Sequence, residues 1–129
     1  TLMESIALGA SPEEAIRFAN ENRAILGSMT KQSVESVAGA LDTVEEYGDQ
    51  LRDTFGAGNQ LDRLGKGLNI LTDLGIPATD QSFKRLVGTV EEMQFTMGKG
   101  ADEIFSTLSE LAGDETFRYM LHLMIEKKR

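Results

Sequence analysis

The sequence contains no cysteine and no tryptophan, and it has only two prolines and one histidine in 129 residues. Without cysteine, the chain cannot form disulfide scaffolds, cysteine-ligated zinc sites or a thiol nucleophile. It also lacks any apolar run near the ~20 residues that are needed to span a bilayer. Residues 1–5 have neither a basic segment nor a long apolar core, so they do not look like a signal peptide. We therefore expect a soluble protein.

Positive charge is also scarce. Thirteen Lys and Arg stand against 21 Asp and Glu, which gives a net charge of −8 and a pI near 4.6. Nucleic-acid binding needs clustered cations on the protein, and so does adhesion to an anionic membrane. The composition therefore predicts neither a nucleic-acid partner nor a membrane partner.

Apolar residues recur at every third or fourth position along most of the chain, which indicates amphipathic helices. The most regular stretch is a heptad seam typical of a coiled coil, made of Val34, Val37, Leu41, Val44, Gly48, Leu51 and Phe55. Its gap at Gly48 leaves open whether the segment is one long helix or two shorter ones. No window alternates apolar and polar residues with a period of two, so strands are not expected. The sequence predicts an all-α fold, a compact bundle of about six short helices with glycine-containing turns.

Start and stop signals suggest where the first helices begin and end. Ser11 followed by Pro12 is a strong start signal, because serine caps a helix and proline is tolerated at its first position. Gly27 is a natural stop, since glycine adopts the left-handed conformation at helix ends. Ser28 or Thr30 is then placed to cap the heptad segment.

The last predicted helix differs from the others, because seven of the nine residues from 117 to 125 are apolar or aromatic. An ordinary surface helix buries one stripe and keeps its opposite face polar. Two interpretations stay open: a central core helix, or a surface that meets another chain. For the second interpretation we predict an interface formed by Phe117, Met120, Leu121, Met124 and Ile125.

Catalytic candidates are few. His122 has Arg118 four residues before it and Glu126 four residues after it, but one His and one Glu are too few ligands for a zinc site. We therefore predict a structural or interface histidine. Glu4-Ser5 resembles the Glu-Ser pair of lytic transglycosylases, in which the glutamate acts as general acid. The Gly-Leu-Met-Gln-type segment of that family is missing, so chance occurrence is the preferred interpretation.

Glycine-rich segments do not match nucleotide-binding loops either. Gly56-Ala57-Gly58 begins like a dinucleotide fingerprint, but Leu61 replaces its third glycine and the segment follows a predicted helix rather than a strand. Gly98-Lys99-Gly100 lacks the spacing of a phosphate loop. Acidic pairs such as Glu13-Glu14 indicate solvated helix faces. We therefore predict no catalytic, cofactor or metal site.

Two segments carry a family resemblance. Leu8-Gly9-Ala10-Ser11-Pro12-Glu13-Glu14-Ala15 and Leu74-Gly75-Ile76-Pro77-Ala78-Thr79-Asp80 resemble, in style, the turns and helix caps of long helical virion proteins. Phage tail tape-measure proteins and internal ejection proteins are examples. The resemblance implies a scaffold that acts through packing rather than chemistry. The chain departs from a continuous rod because 13 glycines interrupt it.

Together these observations predict one helical domain over residues 1–129, which we expect to be a piece of a longer protein. Its predicted role is that of a non-catalytic interaction or assembly domain, with no cofactor and no evident small-molecule substrate. The expected partner is another protein or a second copy, in the cytoplasm or in a virion. Two alternatives stay open. One is a small acidic enzyme, or a regulatory domain of one, with Glu4 or His122 in a cleft. The other is an acidic inhibitor or adaptor that binds a basic protein.

Overall fold

The computed structural model describes residues 8–30 and 36–126, and the regular structure in those ranges is helical. It comprises α1 Pro12–Glu21, α2 Arg23–Thr30, α3 Val37–Phe55, α4 Gln60–Asp73, α5 Asp80–Met97, α6 Ala101–Ala112 and α7 Glu115–Glu126. These residues contain no strand, which confirms the all-α prediction, and the seven helices are close to the six expected. None of the seven combines the length and apolar content needed to cross a membrane.

The chain divides into two compact units, Thr1–Leu64 and Gly65–Arg129, with the border inside α4. The apolar core residues of the first unit are Leu8, Ala15, Ala19, Leu26, Met29, Ala40, Val44, Tyr47, Leu51, Leu61 and Leu64. Those of the second are Leu68, Ile70, Leu71, Leu74, Ile76, Ala78, Phe83, Leu86, Val90, Ala101, Ile104, Phe105, Leu108, Ala112, Leu121 and Ile125. The single domain over residues 1–129 stays a prediction.

The first helical segment breaks at Asn22, and the predicted stop at Gly27 is wrong. Asn22 leaves helical geometry with φ −114° and ψ 20°, and its side-chain Nδ2 donates to the carbonyl oxygen of Phe18 at 2.9 Å. The backbone N–H of Asn22 donates to the same oxygen at 3.0 Å, and local bonding of an asparagine side chain to the backbone is typical of helix ends. Helix α2 then passes through Gly27. Ser28 and Thr30 lie within α2, so neither of them caps the next helix as predicted.

Helix α3 is a single helix that packs against α1 and α2. Its cap is Ser36, whose hydroxyl oxygen accepts a hydrogen bond from the backbone N–H of Gly39 at 3.0 Å. Gly48 is buried, and a methyl group of Leu8 occupies the space that a Cβ at Gly48 would need. The gap in the heptad seam is therefore filled by another part of the first unit. The first residue of the seam, Val34, lies outside the described residues.

The turn after α3, residues 56–58, is fastened by two polar side chains of α4. Gly56 ends α3 with φ +85°, a conformation that favours glycine. Arg63 is only 4% exposed, and it donates from Nη1 to the carbonyl oxygen of Gly56 at 2.7 Å and from Nη2 to that of Ala57 at 3.3 Å. Gln60 donates to the Gly56 carbonyl at 3.1 Å and accepts from Arg63 at 3.1 Å. A buried guanidinium thus holds the C-terminal end of α3.

In the second unit, α5, α6 and α7 contact one another in pairs. Helix α5 begins with a capping box, in which Thr79 accepts from the backbone of Ser82 and Ser82 accepts from the backbone of Thr79. It ends at Gly98, whose φ of +66° is left-handed. This packing supports α7, which carries the predicted interface.

Candidate functional site

Helix α7 is fixed at its start by hydrogen bonds and along one face by burial. The carboxylate of Asp114 accepts from the backbone N–H of Thr116 at 2.9 Å, and this caps the helix. Arg118 Nε donates to the carbonyl oxygen of Ala112 at 3.1 Å, at the end of α6. Leu121 and Ile125 are buried, with 2% and 1% exposure. These contacts set which faces of α7 remain available to other molecules.

The five residues predicted as an interface divide into two groups. Leu121 and Ile125 anchor the helix in the core, whereas Phe117, Met120 and Met124 are 37%, 51% and 42% exposed. The exposed three are spaced by three and four residues, so they lie on one side of the helix. We call this set the apolar flank of α7. The core interpretation therefore applies to Leu121 and Ile125, whereas an interface formed by the three exposed residues stays a prediction.

The opposite side of α7 borders a shallow depression of about 330 Å³. Its lining residues are Leu74, Glu115, Arg118, Tyr119 and His122. The four that belong to α7 are again spaced by three and four residues, so they share one face. Because each residue advances the helix by about 100°, this face and the apolar flank point in different directions. We call it the polar flank of α7.

His122 is partly exposed on the polar flank, and a general base at this position would need a carboxylate or a nucleophile within hydrogen-bond reach. Glu126, which the sequence places on the same face, instead approaches Arg85 with a distance of 3.8 Å between Arg85 Nη1 and Glu126 Oε2. Within residues 8–30 and 36–126, His122 forms no hydrogen bond or ion pair. Glu4, the other candidate acid, lies outside the described residues together with Ser5.

A second depression, of about 290 Å³, lies in the first unit and is lined by Glu14, Arg17, Phe18, Glu21, Asn59, Leu61 and Asp62. Its carboxylates suggest a cation site at first sight. However, no group of three or more His, Asp or Glu side chains in the described part of the chain has the geometry to hold a metal ion. Glu14 is also engaged locally, because its Oε1 accepts from the hydroxyl of Ser11 at 3.2 Å.

The burial of Arg63 was not predicted, because apolar periodicity carries no information about the placement of cations. One signal in the sequence could have indicated it: Gln60 and Arg63 are three residues apart and lie two and five residues after the glycine turn at residues 56–58. A long donor side chain one turn into a helix can reach back to the carbonyls that the preceding helix leaves free. The glycine segment therefore acts as a turn, held by the side chains of α4.

Similarity to known proteins adds nothing to these observations. No protein-family profile, curated protein or solved structure matches the chain. Within the described residues, the two flanks of α7 are the surface that bears most directly on function.

Proposed function

We propose that this chain is a non-catalytic helical interaction or assembly domain that binds a protein through the apolar flank of α7. The observation that carries the proposal is the partial exposure of Phe117, Met120 and Met124 on one side of a helix whose next face is buried. Apolar side chains grouped on one surface commonly mark an interaction site. Methionine suits such a surface, because its flexible side chain adapts to different partners.

The free energy available from this flank is modest. Complete burial of one such side chain contributes about 1.5–3 kcal/mol. Because only 37–51% of each side chain is exposed, each can add only about 1 kcal/mol on docking. A total of about 3 kcal/mol does not offset the entropy of association by itself. We therefore infer a weak interaction, or one reinforced by further contacts in an assembly.

The wider role follows from the same proposal. The helices of the second unit would form a compact bundle that presents α7, and the resemblance to phage tape-measure and ejection proteins favours a structural segment of a larger assembly. Such a segment acts through surface complementarity, so its partner is a second copy or another protein. The location that suits this role is the cytoplasm or a virion.

The test compares Met120→Glu with Met97→Glu. Both residues are methionines of the second unit with similar exposure, 51% and 43%, but Met97 lies on α5. We expect Met120→Glu to abolish concentration-dependent self-association in sedimentation, or capture of a specific protein, while Met97→Glu leaves either one intact. Circular dichroism should show unchanged helicity for both variants. The proposal fails if the wild-type chain is monomeric at all concentrations and no captured protein depends on Met120.

A further inference from the structure

The polar flank of α7 carries a site with a different chemistry from the apolar flank. Its depression of about 330 Å³ is within the size range of small-molecule sites, although it is open to solvent on one side. Leu74 is 5% exposed and adds only a small apolar area to it, whereas the rings of Tyr119 and His122 supply two aromatic surfaces. Charged groups of opposite sign, Arg118 and Glu115, line the same space.

Arg118 is held in place by the protein backbone. Its Nε donates to the carbonyl oxygen of Ala112 at 3.1 Å, and its Nη2 is 3.5 Å from that of Gly113. These neutral acceptors orient the guanidinium without cancelling its charge. A cation positioned before a ligand arrives loses little entropy on binding, and its fork geometry suits a carboxylate.

Glu115 provides the complementary charge. It is exposed at the first position of α7, three residues before Arg118. Within the described ranges, neither Glu115 nor Arg118 forms an ion pair with any side chain, including each other. The depression therefore offers one cation and one anion, both uncompensated by described residues, beside an apolar surface.

We propose that this depression binds a small zwitterion with an apolar body, the chemistry of an apolar or aromatic α-amino acid. The carboxylate of the ligand would face Arg118, its ammonium group would face Glu115, and its side chain would pack against the rings of Tyr119 and His122 next to Leu74. The open side of the depression leaves part of the ligand in water, so affinity is expected in the millimolar range. This proposal does not depend on the apolar flank of α7.

The first test uses the wild-type chain and three related ligands: L-phenylalanine, N-acetyl-L-phenylalanine without the ammonium charge, and L-phenylalanine amide without the carboxylate. Binding is followed by chemical-shift changes in ¹H–¹⁵N spectra. We expect phenylalanine to bind about tenfold more tightly than either analogue, the effect of losing one charged contact of ~1.4 kcal/mol. Shifts should centre on Glu115, Arg118 and His122. The proposal is overturned by equal affinities, by an absence of binding at millimolar concentrations, or by shifts centred on Met120 and Met124.

A second test isolates the contact to the ammonium group. Glu115→Gln should weaken phenylalanine binding about tenfold but leave N-acetyl-phenylalanine binding unchanged, because that ligand has no charge for Glu115 to meet. Glu110→Gln, an exposed glutamate on α6, is the matched control and should change neither affinity. If Glu115→Gln weakens both ligands equally, the residue does not contact the ammonium group and the assignment is wrong.

Discussion

The buried Arg63 offers the sharpest test of how the first unit is held together. Its guanidinium is 4% exposed and donates to the carbonyl of Gly56 at 2.7 Å and to the carbonyl of Ala57 at 3.3 Å. Replacing it with alanine, methionine and lysine removes different parts of this arrangement. Alanine removes the stem and the donors, methionine keeps an apolar stem, and lysine keeps a charge without the fork geometry.

The expected magnitudes follow from these parts. Three buried methylene groups contribute about 2 kcal/mol at ~0.8 kcal/mol each. Loss of the charged hydrogen bond to Gly56 adds about 1.5–3 kcal/mol to the destabilisation. Part of this loss is offset, because the variant no longer has to bury a cation away from water. Residues 56–58 are exposed, so water can replace the lost donors. We expect Arg63→Ala to lower the free energy of unfolding by about 2–4 kcal/mol, and both Arg63→Met and Arg63→Lys by about 1–2 kcal/mol.

The assay is urea unfolding followed by tyrosine fluorescence. The chain has no tryptophan and two tyrosines. Tyr47 is buried in the first unit and Tyr119 is 73% exposed in the second, so a Tyr119→Phe background reports on the first unit alone. If Arg63→Met is as stable as the parent chain or more stable, the carbonyls do not need the guanidinium and the argument is refuted.

Two further predictions concern glycines of the second unit, each measured by thermal unfolding of the helical circular-dichroism signal. Gly98→Ala should destabilise the protein by about 1–2 kcal/mol, because φ at this position is +66° and a left-handed conformation is unfavourable for alanine. Gly113→Ala should be neutral or slightly stabilising, because φ there is −81°. Equal effects at both glycines would show that backbone strain is not the cause. Gly67→Ala should destabilise the protein by about 1 kcal/mol. The new Cβ would lie 2.8 Å from Cε1 of the buried ring of Phe83, and we expect this overpacking to outweigh the gain in helix propensity. A more stable Gly67→Ala would mean that the ring moves aside freely.

Local signals in the sequence predicted the helical class well, because each depends on neighbours in the chain. The start at Ser11-Pro12 is an example, since the serine hydroxyl accepts from Glu14 within one turn. The stop at Gly27 was wrong for a related reason. Glycine permits a helix end but does not require one, whereas the side chain of Asn22 bonds locally to the carbonyl of Phe18, as asparagine commonly does at helix ends.

Contacts between distant residues could not be read from spacing. The pattern showed a gap at Gly48 but did not show that Leu8 fills it. The pattern around residues 117–125 showed excess apolar content, but it did not separate the anchoring Leu121 from the exposed Met120. That division depends on where α5 and α6 lie against α7. The contribution of Leu74 to the polar flank is likewise a result of tertiary packing.

The two buried anchors of α7 have a consequence for any mutational survey of this chain. Leu121 and Ile125 are too deeply buried to contact the proposed protein partner or the proposed small molecule. Their burial nevertheless holds both flanks of α7 in their orientation. A scan that scores loss of binding is therefore expected to rank Leu121 and Ile125 highest for both proposed interactions at once. The informative substitutions are those that abolish one of the proposed interactions and leave the other intact. We expect to find them among the exposed positions of α7.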